Sequence, residues 1–404
     1  MNWLKKGTKE SFYRGSFHIL LTSIVRSGFG FLFWIIAAKL YAKDDVGVAT
    51  TLISTLGLII VISRIGLDQA ILRYAPTGDR SRIIYTSIIV TTLLALAIGI
   101  SSIVVIDILV PSLSLIKDYW HIFLLFLIVS SMLTIMASAF QAIRRADLSL
   151  FQSLIDGSRI GFLSALVFLG AFGIFISGFL SSLVVLIFSL LLFSRLNIRP
   201  RMIDGKFLKE TFHFYSGSFI SNVFLTAPVQ ILPLIVFGIL GAESTASYYV
   251  SFMLFNLVLI IPAATSTSLL VEGSHGKDLK RTTHEAILLS FVLLIPIAIA
   301  LLVFGEALLG IVGSSYSAEG YGLLCVLVIS NFFAIFFLNY SSVLKIQDRM
   351  KELVICNGIL FVLLIGLSVI LLPIGIIGVG YSWLISYGIC SIMIVLISFR
   401  YNRR

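Results

Sequence analysis

Residues 83–110 read IIYTSIIVTTLLALAIGISSIVVIDILV, an unbroken apolar run whose one charged group, Asp107, sits near its far end. About 20 apolar residues are enough to carry a helix across a bilayer, so this stretch is expected to be a membrane span. It lacks the strict alternation that a membrane β-barrel strand needs. The same texture recurs on both sides of it. Before it lie span 1, about Gly15–Leu40, and span 2, about Val46–Leu67. Span 3 is Ile83–Val110 itself. After it come span 4 (Tyr119–Ile143), span 5 (Leu150–Phe172) and span 6 (Ile174–Phe193). A polar stretch precedes span 7 (Tyr215–Leu240) and span 8 (Ala246–Leu270). Span 9 (Glu285–Phe304), span 10 (Gly320–Val343), span 11 (Leu353–Leu372) and span 12 (Ile376–Phe399) complete the series.

Composition points the same way. Of 404 residues, 59% are apolar and 12% charged, where a soluble domain carries about 25% charge. In water such a chain would leave large apolar patches exposed. Ordinary soluble enzymes, disordered chains and disulfide-rich secreted modules are thereby excluded. Cys325, Cys356 and Cys390 fall in apolar runs without metal-like spacing and read as packing residues. The expected fold class is an all-α polytopic membrane protein of about 12 transmembrane helices.

The 29 Lys and Arg residues are distributed unevenly. Lys5, Lys6, Lys9 and Arg14 precede span 1. Basic residues then crowd every second loop, as in Arg80 and Arg82, Arg144 and Arg145, Arg199 and Arg201, Lys280 and Arg281, Arg349 and Lys351. Arg400, Arg403 and Arg404 close the chain. The alternate loops hold only Lys39, Lys43 and Lys117 among acids such as Asp44, Asp45 and Glu319. This bias places both termini and the basic loops in the cytoplasm of a cell-membrane protein. It also requires an even number of spans. The net charge of +10 therefore reflects topology, with attraction to membrane lipids, and not nucleic-acid binding. The start reads as a retained first span and not a cleaved signal. Met1–Phe12 has the composition of an interfacial segment or a frayed tail.

The two halves repeat. Gly15-Ser16-Phe17 opens span 1 and Gly217-Ser218-Phe219 opens span 7. Ile143-Arg144-Arg145-Ala146-Asp147 follows span 4 and Leu344-Lys345-Ile346-Gln347-Asp348 follows span 10, an offset of 201. Asp156-Gly157 pairs with Asn357-Gly358, and Gly173-Ile174 with Gly375-Ile376. Six spans return the chain to its starting side, so the expectation is two parallel six-helix bundles with a site near the midplane. Their expected bounds are 1–194 and 215–404, joined by a basic cytoplasmic linker at 195–214.

Enzyme motifs are missing: there is no phosphate-binding glycine loop, no nucleophile elbow and no histidine pair for a metal. No cofactor is expected, and a proton or sodium gradient is the candidate energy source. The informative residues are ionisable groups inside spans, each costing about 2.5–3.5 kcal/mol at the bilayer centre and so directed inward. Arg64 and Asp68 are spaced to pair along one helix, as are Asp156 and Arg159. Arg26 has no acid within four residues. It either pairs across helices with Asp156 or Asp68, or it faces a wet cavity where its guanidinium forks onto an anion. Asn222 and Gln230 in span 7, with Asn256 in span 8, are either interhelical hydrogen-bonding groups or a polar cavity wall; Pro228, Pro233 and Pro262 would bend that wall.

The stretch Leu40-Tyr41-Ala42-Lys43-Asp44-Asp45-Val46-Gly47, followed by Gly66-Leu67-Asp68-Gln69-Ala70-Ile71-Leu72-Arg73-Tyr74, resembles polysaccharide-biosynthesis membrane proteins. These are the O-antigen-type flippases of the multidrug/oligosaccharidyl-lipid/polysaccharide exporter superfamily, and the resemblance extends to Gly378-Val379-Gly380-Tyr381 in the last span. It implies an alternating-access flippase that moves lipid-linked oligosaccharide from the cytoplasmic to the outer leaflet. Cavity cations would hold the phosphate, and by position Arg26 and Arg64 fit that role. Arg73 matches the basic residue that closes the second motif. Arg159, Asn222, Gln230 and Asn256 complete the expected cavity, and Asp68 and Asp156 are the candidates for ion coupling. Expected partners are the lipid-linked glycan, membrane lipids, and a glycan polymerase or glycosyltransferases. The chain departs from the family pattern in carrying no Lys or Arg in spans 7 and 8. It lacks the acid that drug-exporting relatives carry in their first helix, and the extra C-terminal helices of peptidoglycan-precursor flippases. Two other readings stand beside this one: a cation-coupled exporter of small molecules, and a non-transporting partner in a glycan-assembly complex. The loop Tyr74–Arg82 does not match the pattern expected of a major-facilitator transporter.

Overall fold

In a computed structural model, the backbone is described for residues 2–76, 78–109, 120–274 and 278–401. Side chains are described within these bounds except at 2–20, 105–109, 146, 212–218, 271, 274 and 399–401. The interfacial reading of Met1–Phe12, the opening motifs at residues 15–17 and 217–218, and the cations Lys117, Lys277, Arg400, Arg403 and Arg404 lie outside the described side chains.

The described residues form helices and no strand. In chain order these are α1 (Asn2–Leu40), α2 (Lys43–Ser63), α3 (Leu67–Tyr74), α4 (Arg80–Leu109), α5 (Trp120–Ala142), α6 (Ala146–Asp156) and α7 (Arg159–Ala165). Then follow α8 (Ala171–Arg195), α9 (Gly205–Ser274), α10 (Leu279–Val312), α11 (Ser314–Ile346), α12 (Met350–Leu371) and α13 (Ile377–Tyr401). Ten stretches among the described residues are long and apolar enough to cross a membrane.

Two further crossings hide in that count. The stretch Phe219–Leu270 is 52 residues long, far more than one crossing needs. Gly241 divides it with a backbone (φ 84, ψ −176) that no helix contains. The other is the broken run from Ala146 to Leu169. Both α5 and α8 end at basic loops, so the chain between them must cross back. Span 5, expected as one helix over Leu150–Phe172, is α6 and α7 joined through Gly157–Ser158, where the dihedrals stay helical and the hydrogen bonds tighten to i→i−3, followed by a 3₁₀ turn at Val167–Leu169. Span 2 is also shorter than expected. α2 stops at Ser63, Ile65 (φ 42) and Gly66 (φ 83) reverse the chain, and α3 begins afresh. Glycine takes such positive φ angles without steric cost.

Two backbone turns recur in both halves of the chain, at a register that differs from the sequence offset. Arg144 (φ 61) and Asp348 (φ 57) adopt the same left-handed turn. Each is followed by a residue whose amide closes the helix end: Arg145 N to Phe140 O, and Arg349 N to Leu344 O, both at 2.9 Å. The equivalent residues are thus 204 apart and not 201. Likewise Gly170 (φ 55) matches Gly375 (φ 93), each after a 3₁₀ turn and each accepting a hydrogen bond from a glycine three residues on. The short identities misaligned this segment because backbone geometry, not residue identity, is what the copies share there.

The chain forms two compact units, Met1–Leu40 with Leu52–Val223, and Tyr41–Thr51 with Phe224–Arg404. The first is centred on Leu67, Ile71, Ile84, Ile135, Phe140 and Phe193, with Phe140 and Phe193 edge to face at 5.3 Å. The segment 196–206 packs onto α4 in this unit. Asp204 N donates to Thr86 Oγ1 at 2.9 Å and Arg199 N to Ser81 Oγ at 3.2 Å. The second unit is built on an aromatic stack in which Trp383 lies 5.4 Å from both Tyr387 and Phe252. Its Tyr41–Thr51 portion is tied in by Lys43 Nζ, 3.0 Å from Glu319 Oε2, while Ser244 donates to the other carboxylate oxygen.

Buried serines and threonines bridge helices in both units, as in Ser368–Ser382 at 2.6 Å and Thr92–Ser131 at 3.1 Å. Outward faces instead carry Ile370, Val362, Leu191 and Ile392, each more than 60% exposed. Small polar residues inside and bare aliphatics outside are the arrangement of a multi-pass membrane protein, where lipid covers what water could not.

Candidate functional site

The first unit encloses a chamber of about 360 Å³. Five elements form it, each through residues one helical turn apart. From α1 come Thr22, Ser23 and Arg26; from α5, Ser130, Thr134, Ser138 and Gln141. α6 contributes Ser149, Gln152, Ser153 and Asp156, α8 adds Ser182, and Arg64 enters from the turn after α2. At about 30 Å³ per water molecule the chamber has room for roughly twelve waters.

Arg26 is the unusual member. It sits in the middle of a span, yet its residue surface is exposed, because it faces this chamber. The charged groups that act on it are Asp156 and Arg159. No acid lies within 4.0 Å of its guanidinium among the described residues. Asp156 is the acid whose charge acts on Arg26, and both residues line the same chamber.

The other arginines are engaged. Arg64 Nη1 is 3.4 Å from Asp68 Oδ2, while its buried Nε has no partner. Asp68 is only 6% exposed and does not line the chamber. Arg159 reaches Asp156 at 3.7 Å and lies over the Phe33 ring at 4.8 Å; its Nε is also unpartnered. Asp156 itself is partly exposed to the chamber, and Ser181 Oγ donates to its Oδ1 at 3.2 Å. Breaking the Arg64–Asp68 pair from one side leaves a buried charge without its partner. Arg64→Met should therefore lower stability by about 3 kcal/mol, and adding Asp68→Leu should restore most of it. Denaturation of the two variants in matched detergent checks this.

Other expected residues lie elsewhere. Arg73 is exposed at the end of α3, stacked on Tyr74 at 5.6 Å. Asn222 is half-buried on α9 and hydrogen-bonded. Asn256 Nδ2 donates to Phe252 O at 3.0 Å within its own helix, and Gln230 is half-buried on the same long helix. None of these lines the chamber. What the sequence reading missed is the hydroxyl and amide lining. Ser130, Thr134 and Ser138 repeat every four residues along span 4, a polar stripe inside an apolar run. Two of those hydroxyls fold back onto their helix, Thr134 Oγ1 to Ser130 O at 2.9 Å and Ser138 Oγ to Thr134 O at 3.4 Å. Gln152 donates to Ser189 at 2.8 Å.

A multi-pass helical protein of two units, one holding a chamber lined by charged and polar side chains, is thus defined on its own geometry. Among solved structures, the fold is shared with an inward-facing multidrug resistance MATE family transporter of the MOP superfamily, at TM-score 0.77 and 15% identity over 95% of this chain and 98% of that one. A MOP superfamily transporter from Pyrococcus furiosus matches at TM-score 0.69 and 15% identity over 97% of this chain and 95% of that one. In sequence, a Shigella flexneri protein provisionally named an O-antigen transporter is 27% identical over 184 residues, 44% of this chain. That alignment spans less than half of the relative's length, also 44%. No family model matches the chain.

Proposed function

We propose that the protein is a flippase that moves lipid-linked oligosaccharide across the cell membrane, with its termini and basic loops in the cytoplasm. The observation that carries this is Arg26, a guanidinium in mid-span that faces a polar chamber and has no carboxylate in contact among the described residues. A permanent cation held there at a cost of about 2.5–3.5 kcal/mol is explained by an anionic cargo. A phosphate or diphosphate fits about 360 Å³. The fold shared with MOP transporters and the partial similarity to the Shigella flexneri protein support the same reading.

The test is reconstitution. Vesicles holding the purified protein and a fluorescent polyprenyl-diphosphate oligosaccharide in the inner leaflet are probed from outside with a lectin. Time-dependent capture that exceeds protein-free vesicles is expected; equal capture in both would end the proposal.

Asp156 favours a second reading, export of small molecules coupled to cation entry. It is the acid that lines the chamber, and its carboxyl is open to solvent there. On that reading Asp156→Asn abolishes proton- or sodium-driven dye efflux. On the first, it changes glycolipid flipping by no more than about fivefold, because one hydrogen bond from Ser181 is worth only about 1 kcal/mol.

A further inference from the structure

Asp156 ends α6 and lines the same chamber as Arg26, about 360 Å³ in volume. Opposite charges that share so small a space inside a membrane are expected to meet, because each is costly to leave unmatched. Yet Arg26 has no acid within 4.0 Å among the described residues. Both carboxylate oxygens of Asp156 are engaged elsewhere. Its Oδ2 lies 3.7 Å from Arg159 Nη1, and its Oδ1 accepts a hydrogen bond from Ser181 Oγ at 3.2 Å. Ser181 Oγ also lies 2.9 Å from Asp156 O, and Ser158 Oγ donates to it in turn at 3.2 Å.

Arg159 can hold the carboxylate because it is itself held. Its guanidinium lies over the Phe33 ring, 4.8 Å from the centroid, and an aromatic face attracts a cation placed there. Phe33 is 1% exposed and sits edge to face against Trp34 at 5.4 Å. The guanidinium also passes close to Gly30 on α1, where a Cβ would stand 3.6 Å from Nη2. Arg159 does not line the chamber. It therefore draws on Asp156 from outside the lining, while Arg26 faces the space within.

We infer that Arg159 sets the polarity of the chamber: it keeps Asp156 from neutralising Arg26, so that an unmatched cation is left to select an anionic cargo. Arg159 is a positioning residue and does not touch the cargo. Without it, Asp156 turns onto Arg26, and an anion has to displace a carboxylate before it can bind. The inference rests on the anion-binding reading of Arg26 proposed above and adds what keeps that site open.

The full-length protein in detergent is titrated calorimetrically with farnesyl diphosphate, and with farnesol, which has the same tail and no phosphate. Arg159→Gln should lose roughly 10- to 100-fold in diphosphate affinity, since one charge-assisted hydrogen bond between Asp156 and Arg26 then opposes binding. Its farnesol binding should not change. Arg159→Lys keeps the charge that restrains Asp156 and should recover most of the affinity. The deciding variant is Arg159→Gln with Asp156→Asn. The acid that would capture Arg26 is gone, so affinity should return to within about fivefold of the wild type, the span of one neutral hydrogen bond. A purely structural Arg159 predicts the reverse, a double variant at least as weak as the single.

If Arg159→Gln alone yields no monodisperse protein, Ser181→Ala frees the other oxygen of Asp156. It should weaken the diphosphate about fivefold, and Asp156→Asn should remove that loss. Wild-type affinity in Arg159→Gln, or a double variant no better than the single, would overturn the inference. The vesicle assay keeps the two readings apart. Flipping by the wild type without this pattern removes Arg159 from its role and leaves the flippase. The pattern without flipping retains the anion site and removes the glycolipid.

Discussion

Arg26→Ala is expected to reduce glycolipid flipping about 100-fold or more while leaving the folded protein at least as stable as the wild type. The two halves of this expectation have one cause. A guanidinium that forks onto a phosphate makes two charge-assisted hydrogen bonds, each worth about 1.5–3 kcal/mol, so their loss amounts to two decades or more in transport. The folded state, by contrast, loses no partner. No carboxylate contacts Arg26 among the described residues, and the chamber around it already admits water. Removing a charge from mid-membrane relieves its desolvation. Arg26→Lys should retain part of the activity, reduced about tenfold, since an ammonium keeps the charge but not the fork. Lectin capture in vesicles reads the transport, and the thermal midpoint in detergent reads the fold. Wild-type flipping by Arg26→Ala would remove this residue from the mechanism. A large drop in midpoint would recast it as a structural group.

Gly47→Ala is expected to be among the most damaging single methyl additions at the described residues. A Cβ at Gly47 would stand 1.9 Å from Ala242 O and 2.5 Å from Ala242 C, both backbone atoms. Nothing there can rotate away, as the tip of a side chain could. Relief would require α2 to move off the kink in α9, where Gly241 already holds a conformation closed to other residues. Overpacking costs about 1–3 kcal/mol when side chains absorb it, and backbone against backbone should reach the upper end or beyond. The measurement is the yield of monodisperse protein with its denaturation midpoint. Gly238→Ala, with open space around the added atom, serves as the control and should behave as wild type.

Much of this was legible beforehand. The apolar runs and the alternation of charge marked the crossings, because lipid solvation acts on whole stretches and tolerates little noise. Arg26 stood out for the same reason: an unpaired cation in a span is rare enough to be read from one position. The break at Ile65–Gly66 was not legible, since glycine is common inside membrane helices and only a positive φ distinguishes a break from a packing contact; at Gly157–Ser158 the dihedrals stay helical and only the hydrogen bonds change, from i→i−4 to i→i−3. The chamber lining was half visible. Ser130, Thr134 and Ser138 repeat with a helical period, but serine hydroxyls can satisfy themselves on their own backbone, so hydroxyls alone do not announce a cavity. Asn256 shows the converse. It looked like a cavity group by type and depth, and its amide is spent one turn back on Phe252. The repeat register was misread by about three residues because sequence identity there is incidental, while the left-handed turns at Arg144 and Asp348 are what the fold retains.

The two copies of the repeat are unlike at one place. α12 runs unbroken from Met350 to Leu371, whereas its counterpart splits into α6 and α7 at Gly157–Ser158, beside Asp156 and Arg159. There the ladder tightens to i→i−3 bonds, such as Ser158 N to Ile155 O and Gly161 N to Ser158 O at 2.9 Å, whose poorer geometry lets that copy open in shorter segments than the other. Amide hydrogen exchange should accordingly run faster across residues 155–166 than across 359–370. This chain thus holds one rigid strut and one jointed one, and the jointed one borders the chamber.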